Sequence, residues 1–506
     1  MEREAVKKQV AAGEALLEKV LRRAADARVH FSPENRPHVV VLGAGPAGLG
    51  AAYQLARQGV ARVTVLDQAE IVGGNAASFE WEGFRADYGS HRLHPACDPL
   101  ILRDLRALLG EDLLDRPRHG RIRLGERWLH FPLKPVDLAL HAPKSFAFGV
   151  GMDLVRKMLP KPAPAEETFA TVLERGLGPT ICREFYFPYA VKLWGLEPEE
   201  LAVTQAQRRV SGNSIGKILR KVAGMAPGLK KPGTGRFFYP RHGYGQISTA
   251  LHEAARKQGA EFLLGARVTA IELEEQRVIG VRYTRGGEEQ VIRPDWVWTT
   301  LPISPFVRGM QPAPPAEVLE ATSCLGFRGM ILIYIVLEQD QFTEYDAHYF
   351  PERELPISRL SEPKNYSLAT EPRGQTLLCA ELPCDPGEAL WEKSDAELGQ
   401  LLVEWLGQAG LPVRSRLLKA TTRKLRQAYP VYRRGYEKHF GVMDEWLSGL
   451  QGLVHYGRQA LFAHDNTHHA LYMAYAAVDC FAPDGTFDEE RWTMYRRIFE
   501  THVVED

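Results

Sequence analysis

The stretch VVVLGAGPAGLGAAYQL, residues Val39 to Leu55, decides the fold of this 506-residue chain. It begins as an apolar, β-branched run, which is typical of a strand buried on both faces. A glycine-rich turn of the form GxGxxG follows, and then a helix-forming segment. The first turn of such a helix offers free N–H groups and a partial positive charge, so the pattern predicts a site for the diphosphate of a dinucleotide.

The spacing of the glycines supports this interpretation. Gly43 permits the tight turn, Gly45 lets backbone approach the pyrophosphate, and Gly48 lets helix and strand pack closely. A second strand, RVTVLD, ends at Asp67, 24 residues after Gly43. An acidic residue there is expected to take the ribose hydroxyls. The sequence therefore predicts an α/β fold with a Rossmann-type domain.

The composition excludes some classes of function. Basic and acidic residues number 63 each, so the chain lacks the net basic charge of nucleic-acid binders, and we expect no nucleic-acid partner. Six cysteines without a CxxC pair suit a reducing cytosol, and we expect a cytoplasmic location. Residues 1–37 have no apolar signal-peptide core and predict an amphipathic helical extension. The longest purely apolar run, MILIYIVL, is too short to span a bilayer.

One stretch is unbalanced in charge. Between Glu200 and Glu253 the sequence has no acidic residue and nine basic ones: Arg208, Arg209, Lys217, Arg220, Lys221, Lys230, Lys231, Arg236 and Arg241. If these converge on a cleft, they favour an anionic substrate, which the planar fork of arginine suits. A solvated surface or peripheral contact with an acidic membrane is the open alternative.

The residues after Asp67 carry a resemblance. QAEIVGGNAASFEWEGFRADYGSHRLHP resembles the FAD-binding segment of a superfamily that includes amine oxidases, protoporphyrinogen oxidase, phytoene desaturases and UDP-galactopyranose mutase. The matching residues are Gly73-Gly74, Ala77-Ser78, Glu82-Gly83-Phe84, Asp87 and Gly89-Ser90-His91. The resemblance implies FAD as the cofactor.

The same resemblance implies how the chain is divided. Residues 1–37 are the N-terminal helical extension, and residues 38–98, 231–302 and 452–506 are expected to build the FAD-binding domain. Residues 99–230 read mainly as a helical insert. Residues 303–451 are assigned to a substrate domain with an antiparallel sheet, which the short strand patterns MILIYIVL, AHYFP and TLLCAEL support.

Several stretches resemble the UDP-galactopyranose mutase branch. They are the FPY and KLW elements at 187–194, AQRRV at 206–210, the YPRHG turn from Tyr239, Tyr429-Pro430, and Gly457-Arg458 followed by Asn466. Two departures put UDP-galactopyranose itself in doubt. Residues 466–469 read NTHH, with a histidine in place of the acid of NxDH, and LFAHDN lacks the tyrosine that contacts substrate phosphate.

The resemblance implies two sets of site residues, with His91, near flavin N5, as the catalytic candidate. The cofactor-binding set is Gly43, Gly45, Pro46, Ala47, Gly48, Asp67, Gly74, Asn75, Ala77, His91, Val268, Gly457, Arg458, Asn466, His468 and His469. The substrate-binding set is Tyr189, Lys192, Trp194, Arg209, Arg241, Arg328 and Tyr429.

A metal site is the alternative to these histidine roles. His464 and His468 have the HxxxH spacing of a helical zinc site. No HExxH general base accompanies them, so we predict no metal, with the histidines lining the flavin pocket or capping the helix.

The predicted function is that of a FAD-dependent oxidoreductase. A hydride passes from an anionic small molecule, a nucleotide sugar or a carboxylate-bearing compound, to flavin N5. The close alternative is a redox-neutral, mutase-like isomerase of a nucleotide sugar that uses reduced FAD. A non-catalytic flavoprotein that serves as a binding module is the third.

Overall fold

A parallel sheet lies at the centre of the structure, a computed structural model that describes residues 36–131, 137, 140–157, 166–209 and 235–504. All of its neighbouring strands are parallel. In spatial order the strands are Leu453–His455, Trp296–Thr299, His38–Leu42, Arg62–Asp67 and Glu261–Leu264. They come from distant parts of the chain, so the predicted Rossmann-type sheet of discontinuous segments is confirmed.

The first strand is buried on both faces, as predicted. Val39 and Val41 enter one core, which they share with the helices Pro46–Gln58, Gln246–Lys257 and Thr467–Asp479. Val40 and Leu42 enter a second core, which includes residues of the helix Tyr436–Ser448. The second core also includes Ile271, Val278 and Val281 of the strands Arg267–Glu274 and Arg277–Arg285, so both faces of the parallel sheet are covered.

The glycine turn joins this strand to the helix Pro46–Gln58. Gly43 has a φ of +104°, a conformation that L side chains rarely adopt. A Cβ at Gly48 would overlap the carbonyl oxygen of Gly43. Glycine at both positions thus lets the first turn of the helix lie directly against the end of the strand.

A second, seven-stranded sheet lies beside the first. Its neighbours are antiparallel, apart from the parallel pair of Ala347–Tyr349 with Gly120–Leu124. In spatial order its strands are Leu417–Val431, Gly326–Leu337, Thr376–Pro383, Arg359–Ser361, Ala347–Tyr349, Gly120–Leu124 and Arg127–Phe131. MILIYIVL, AHYFP and TLLCAEL all contribute strands, as predicted.

The prediction that residues 99–230 are mainly helical is wrong for residues 113–131. These form the strands Leu113–Pro117, Gly120–Leu124 and Arg127–Phe131. Burial alternates along Gly120–Leu124, which is the two-residue period of a half-buried strand. The described α-helices of this stretch are Pro99–Leu109, Lys144–Lys157, Phe169–Leu177, Pro179–Ile181, Phe187–Trp194 and Val203–Arg209, and the stretch also has the 3-10 helix Gly110–Asp112 and the π-helix Cys182–Tyr186. The predicted N-terminal helix falls in residues outside the described ranges.

Further elements complete the described chain. Additional strands are Ser78–Trp81, Phe84–Asp87, Arg236–Pro240, Arg267–Glu274, Arg277–Arg285, Glu288–Ile292 and Met310–Gln311. Additional helices are Ile303–Arg308, Ala316–Ala321, Pro363–Ser367, Asp395–Gln408 and Glu489–Phe499. Within the described ranges, no helix combines the length and apolar character needed to cross a bilayer.

Gly48→Ala tests the close approach of helix and strand. We expect the free energy of unfolding to fall by about 1–3 kcal/mol, the usual range for overpacking, because the new methyl group meets backbone that cannot move aside. Urea denaturation measures the change.

Gly407→Ala is the matched control for that variant. Gly407 lies in the helix Asp395–Gln408 with open space where a Cβ would stand. Alanine there should leave stability unchanged or raise it by up to about 1 kcal/mol. An equal loss of stability in both variants would refute the steric argument.

Candidate cofactor and substrate site

A cavity of about 910 Å³ opens at the carboxyl end of the parallel strands. The glycine turn, Asp67 and Thr300 line it, and each follows or ends a strand of the parallel sheet. The cavity continues to Tyr349 and Arg359 of the seven-stranded sheet. Open α/β sheets bind their ligands at this edge.

The turn offers bare backbone to the cavity. A Cβ at Gly45 would meet no atom within 4 Å, and one at Gly74 would lie 3.5 Å from the Cα of Gly45. Gly45 is also the N-cap of the helix Pro46–Gln58 and supplies no side-chain cap to its first turn. Space, exposed backbone and the helix dipole therefore fit a diphosphate at this point.

Asp67 lines the cavity but also supports the turn. Its Oδ2 accepts a hydrogen bond from the Ala44 amide at 2.7 Å, and its Oδ1 accepts one from the Ala69 amide at 2.8 Å. Burial raises the pKa of this carboxyl group. A carboxylate has further lone pairs, so the ribose contact stays a prediction beside a structural role.

The cavity brings together most of the predicted cofactor-binding residues. Those that line it are Gly43, Gly45, Pro46, Ala47, Asp67, Gly74, Asn75, Ala77, His91, Val268, Arg458 and Asn466. Gly48 and Gly457 do not line it and instead allow close packing, Gly48 against Gly43 and Gly457 against Ala47. The binding roles themselves stay predictions.

The last two residues of the predicted set lie behind the cavity wall. His469 Nδ1 accepts a hydrogen bond from the Asn466 amide at 3.3 Å, at the start of the helix Thr467–Asp479. Burial lowers the pKa of His468 to about 4, so this side chain is neutral at neutral pH. We therefore do not assign direct cofactor contact to either histidine, because one caps the helix and the other is packed in the protein.

A polar cluster supports this cap. Among the described residues, Asp465, His469 and His502 place potential metal-ligating atoms within 4.8 Å of one another. His502 Nδ1 lies 3.1 Å from Asp465 Oδ2. Burial opposes ionisation of Asp465, yet the charge of His502 lowers its pKa to about 2. These contacts explain the cluster as a hydrogen-bonded support, and the absence of a metal stays a prediction.

His91 is held in one orientation at the cavity wall. Its Nε2 lies 2.7 Å from the Asn75 carbonyl oxygen and 2.9 Å from that of Tyr88. Carbonyl oxygens only accept hydrogen bonds, so Nε2 carries the proton. Burial lowers the pKa of the ring, which keeps it neutral and leaves Nδ1 as a potential proton acceptor.

Two of the predicted substrate-binding residues, Tyr189 and Tyr429, line the cavity. Lys192 and Trp194 do not. Lys192 Nζ donates to the Phe350 carbonyl oxygen at 2.5 Å, which ties its helix to the second sheet. Trp194 packs edge-on against a buried phenylalanine. The aromatic and lysine motif therefore contributes mainly to packing.

Two of the three predicted substrate-binding arginines also lie outside the cavity lining. Arg241 forms an exposed ion pair with Asp112 at 3.3 Å, and Arg328 is engaged by Asp385 and Glu388. Neither lines the cavity, so the structure does not support their predicted substrate contact. Arg209 is the last residue of the helix Val203–Arg209, and its side chain is not among those that the structure describes. Much of the basic stretch falls in residues 210–234, which are also outside it.

The structure instead places a polar group from the second sheet in the cavity wall. Tyr349 pairs with Arg359 across one strand pair, and Arg359 pairs with Glu381 across the next. Arg359 Nη2 donates to both Glu381 oxygens at 2.7 and 2.8 Å. Arg92 Nη1 donates to the Tyr349 hydroxyl at 3.1 Å. None of these four residues was predicted from the sequence, although Glu381 stands out as a charged residue within the apolar run TLLCAELP.

Positive charge predominates in the cavity wall. Seven lining residues are basic: Arg92, Arg118, Arg267, Arg359, Lys424, Arg426 and Arg458. Three are acidic, and each has a local partner. A turn amide donates to Asp67, Arg359 donates to Glu381, and His502 contacts Asp465. The predicted preference for an anion thus has a basis in the cavity, although the residues differ from those of the basic stretch.

Comparison with known proteins supports a flavin site. A family model described as flavin-containing amine oxidoreductase matches residues 46–467. A phytoene dehydrogenase from Streptomyces griseus is 44% identical over 79 residues, or 16% of this chain and 15% of that protein. An L-amino-acid oxidase from Sistrurus catenatus edwardsii is 25% identical over 344 residues, or 62% of this chain and 60% of that protein. The chain therefore matches less than two thirds of the length of either relative.

Solved structures show the same fold. A reduced UDP-galactopyranose mutase superposes with a TM-score of 0.75 at 20% identity, over 88% of this chain and 93% of that one. A putative protoporphyrinogen oxidase from Exiguobacterium sp. 255-15 gives 0.67 at 18% identity, over 88% and 98%. At these identities the likeness concerns the fold alone. The comparisons confirm the superfamily resemblance and FAD as the cofactor.

Gly45→Val tests whether the glycine turn holds the diphosphate. The new side chain enters the space beside the turn, so we expect FAD occupancy to fall by about tenfold or more, the usual scale for a lost binding contact, while the protein stays folded. Flavin absorbance relative to protein absorbance, with thermal unfolding after removal of FAD, measures both quantities. Full flavin content in a folded Gly45→Val protein would refute the assignment of the turn.

Proposed function

The chain belongs to the flavin-containing amine oxidoreductase family, and from this premise we propose that it is a FAD-dependent oxidoreductase that acts on an anionic small molecule. Bound FAD supplies the hydride acceptor. The turn from Gly43 to Ala47 would hold the diphosphate, and Val268 and Asn466 would contact other parts of the cofactor. The observation that carries the substrate class is the pair Arg92 and Arg359 in the cavity wall.

These two arginines are built into the wall. Arg359 uses Nη2 for Glu381, which leaves Nη1 as the donor for a ligand. Arg92 is held by Asp346 and by the Tyr349 and Tyr366 hydroxyls. Guanidinium groups fixed in this way lose little side-chain entropy when they bind a carboxylate or phosphate. We infer that they orient the anionic group of the substrate.

His91 would handle the proton that accompanies the hydride. Its Nε2–H is fixed on two carbonyl oxygens, so Nδ1 holds the lone pair. A neutral imidazole is the form that accepts a proton near neutral pH.

A second candidate is a redox-neutral isomerase of a nucleotide sugar. Tyr189 and Tyr429 line the same cavity as the arginines, and this combination would also suit a sugar nucleotide diphosphate. We rank it second because of the NTHH and LFAHDN departures in the sequence. The third candidate, a non-catalytic module, has no support from the family.

Anaerobic reduction separates the two enzymatic candidates. With an oxidoreductase substrate the flavin absorbance should bleach and return on addition of an acceptor, with acceptor consumed in step with product. An isomerase should convert a UDP-sugar after a single chemical reduction and consume no acceptor. Turnover of a UDP-sugar without acceptor consumption would overturn the oxidoreductase proposal.

Arg359→Lys tests the anion-binding role. Lysine keeps a positive charge beside Glu381 but loses the planar fork, so we expect affinity for the best anionic ligand to fall by about tenfold or more with flavin content unchanged. Thermal-shift titration with UDP, pyrophosphate and a propionate-bearing porphyrin identifies and measures that ligand.

Arg353→Lys is the control for that substitution, since Arg353 forms an exposed ion pair with Glu197 at 2.9 Å, outside the cavity lining. It should bind like the wild type. Equal affinities in all three proteins would rule out a substrate role for Arg359.

A further inference from the structure

Exposed apolar side chains concentrate in one part of the described surface. Of the eight large hydrophobic residues that are strongly exposed, four lie between residues 140 and 155. Their exposed fractions are 68% for Leu140, 71% for Phe148, 38% for Met152 and 59% for Val155. Large apolar side chains that are exposed as a group, and not singly, mark an interaction surface.

Three of these residues form a stripe on the helix Lys144–Lys157. Phe148, Met152 and Val155 are spaced i, i+4 and i+7, which places them on one face of a helix. We call this stripe of three residues the outer face of the helix, and Leu140 precedes the helix in the chain. The pattern resembles the apolar side of an amphipathic helix, but here that side faces solvent.

The opposite face is firmly attached to the protein. A Cβ at Gly149 would meet the Thr180 hydroxyl oxygen at 2.7 Å, so the helix backbone lies close to Thr180. Asp153 Oδ2 accepts a hydrogen bond from the Thr180 amide, also at 2.7 Å. Phe146 packs into a core with Tyr189 and Tyr349. The helix that carries the outer face is therefore packed against the rest of the protein.

The exposed charges that we can assign to this helix are basic. Lys144 and Arg156 are exposed, and each lies four residues from a member of the stripe, Phe148 or Met152. The acidic residue of this helix, Asp153, is buried on the inner face. Basic residues beside an apolar helical stripe can extend to phosphate groups while the apolar residues enter the acyl boundary.

We propose that the outer face of the Lys144–Lys157 helix docks the enzyme on the surface of an anionic membrane. Basic charge at both ends of the stripe favours a bilayer with anionic headgroups over an apolar groove of another protein. The helix lies on the membrane and does not cross it, in keeping with the lack of a spanning helix among the described residues. This proposal does not depend on the reaction that the flavin performs.

Vesicle flotation of the full-length holoenzyme tests the proposal. We expect wild-type protein to float with vesicles of equal parts phosphatidylcholine and phosphatidylglycerol, and to bind pure phosphatidylcholine more weakly. The double variant Phe148→Ser and Met152→Ser should reduce the partition coefficient by about tenfold or more, because the apolar contribution is removed. The pair Lys144→Glu and Arg156→Glu should cause a loss of about the same size on anionic vesicles.

The matched control removes exposed apolar side chains elsewhere. Val291 and Met494 are exposed to 46% and 47%, and the variant Val291→Ser with Met494→Ser should float like the wild type. Flavin content and thermal unfolding verify that every variant is folded. Failure of the wild type to float would overturn the proposal, as would unchanged flotation of Phe148→Ser with Met152→Ser. Sedimentation that shows a dimer lost in this variant, with vesicle binding intact, would assign the face to a second copy of the chain instead.

Discussion

The close approach of strand and helix at Gly43 to Gly48 is the constraint on which the rest of the structure depends. The Gly43 carbonyl oxygen occupies the space where a side chain at Gly48 would stand. Thr300 secures the neighbouring strand by a hydrogen bond to the Leu42 carbonyl oxygen at 2.9 Å, and Asp67 secures Ala44. These contacts leave bare backbone at the open end of the sheet, where we propose that the diphosphate of FAD binds.

The part of the site that lies close together in sequence could be predicted, and the part assembled from distant strands could not. The GxGxxG turn and Asp67 share one βαβ unit, so their spacing alone indicated their relation. Arg359 and Glu381 meet through strand register, which a single sequence does not specify. The strand Gly120–Leu124 was missed for a different reason. Its two-residue alternation was present in GRIRL but was outweighed by the helical segments around it.

The histidine in place of an acid at residue 468 has a physical consequence. An acidic side chain near a helix N-terminus interacts favourably with the helix dipole and takes up part of its positive potential. His468 is buried with a lowered pKa, so it adds no negative charge at neutral pH. His469 satisfies the Asn466 amide instead. The negative charge near the start of the helix Thr467–Asp479 comes instead from Asp465, which precedes the N-cap residue Asn466 and whose pKa is lowered to about 2 by the charge of His502.

The Lys144–Lys157 helix connects the outer surface to the substrate end of the cavity. Phe146 on its inner side packs into the same core as Tyr189 and Tyr349, and both tyrosines line the cavity. Tyr349 in turn accepts a hydrogen bond from Arg92. Packed side chains therefore connect the inner side of this helix with the wall that contains Arg92. The glycine turn belongs to a different core, beneath the parallel sheet. The helix is thus packed against the part of the cavity wall where we place the substrate, whereas the turn that would hold the diphosphate lies in a separate core.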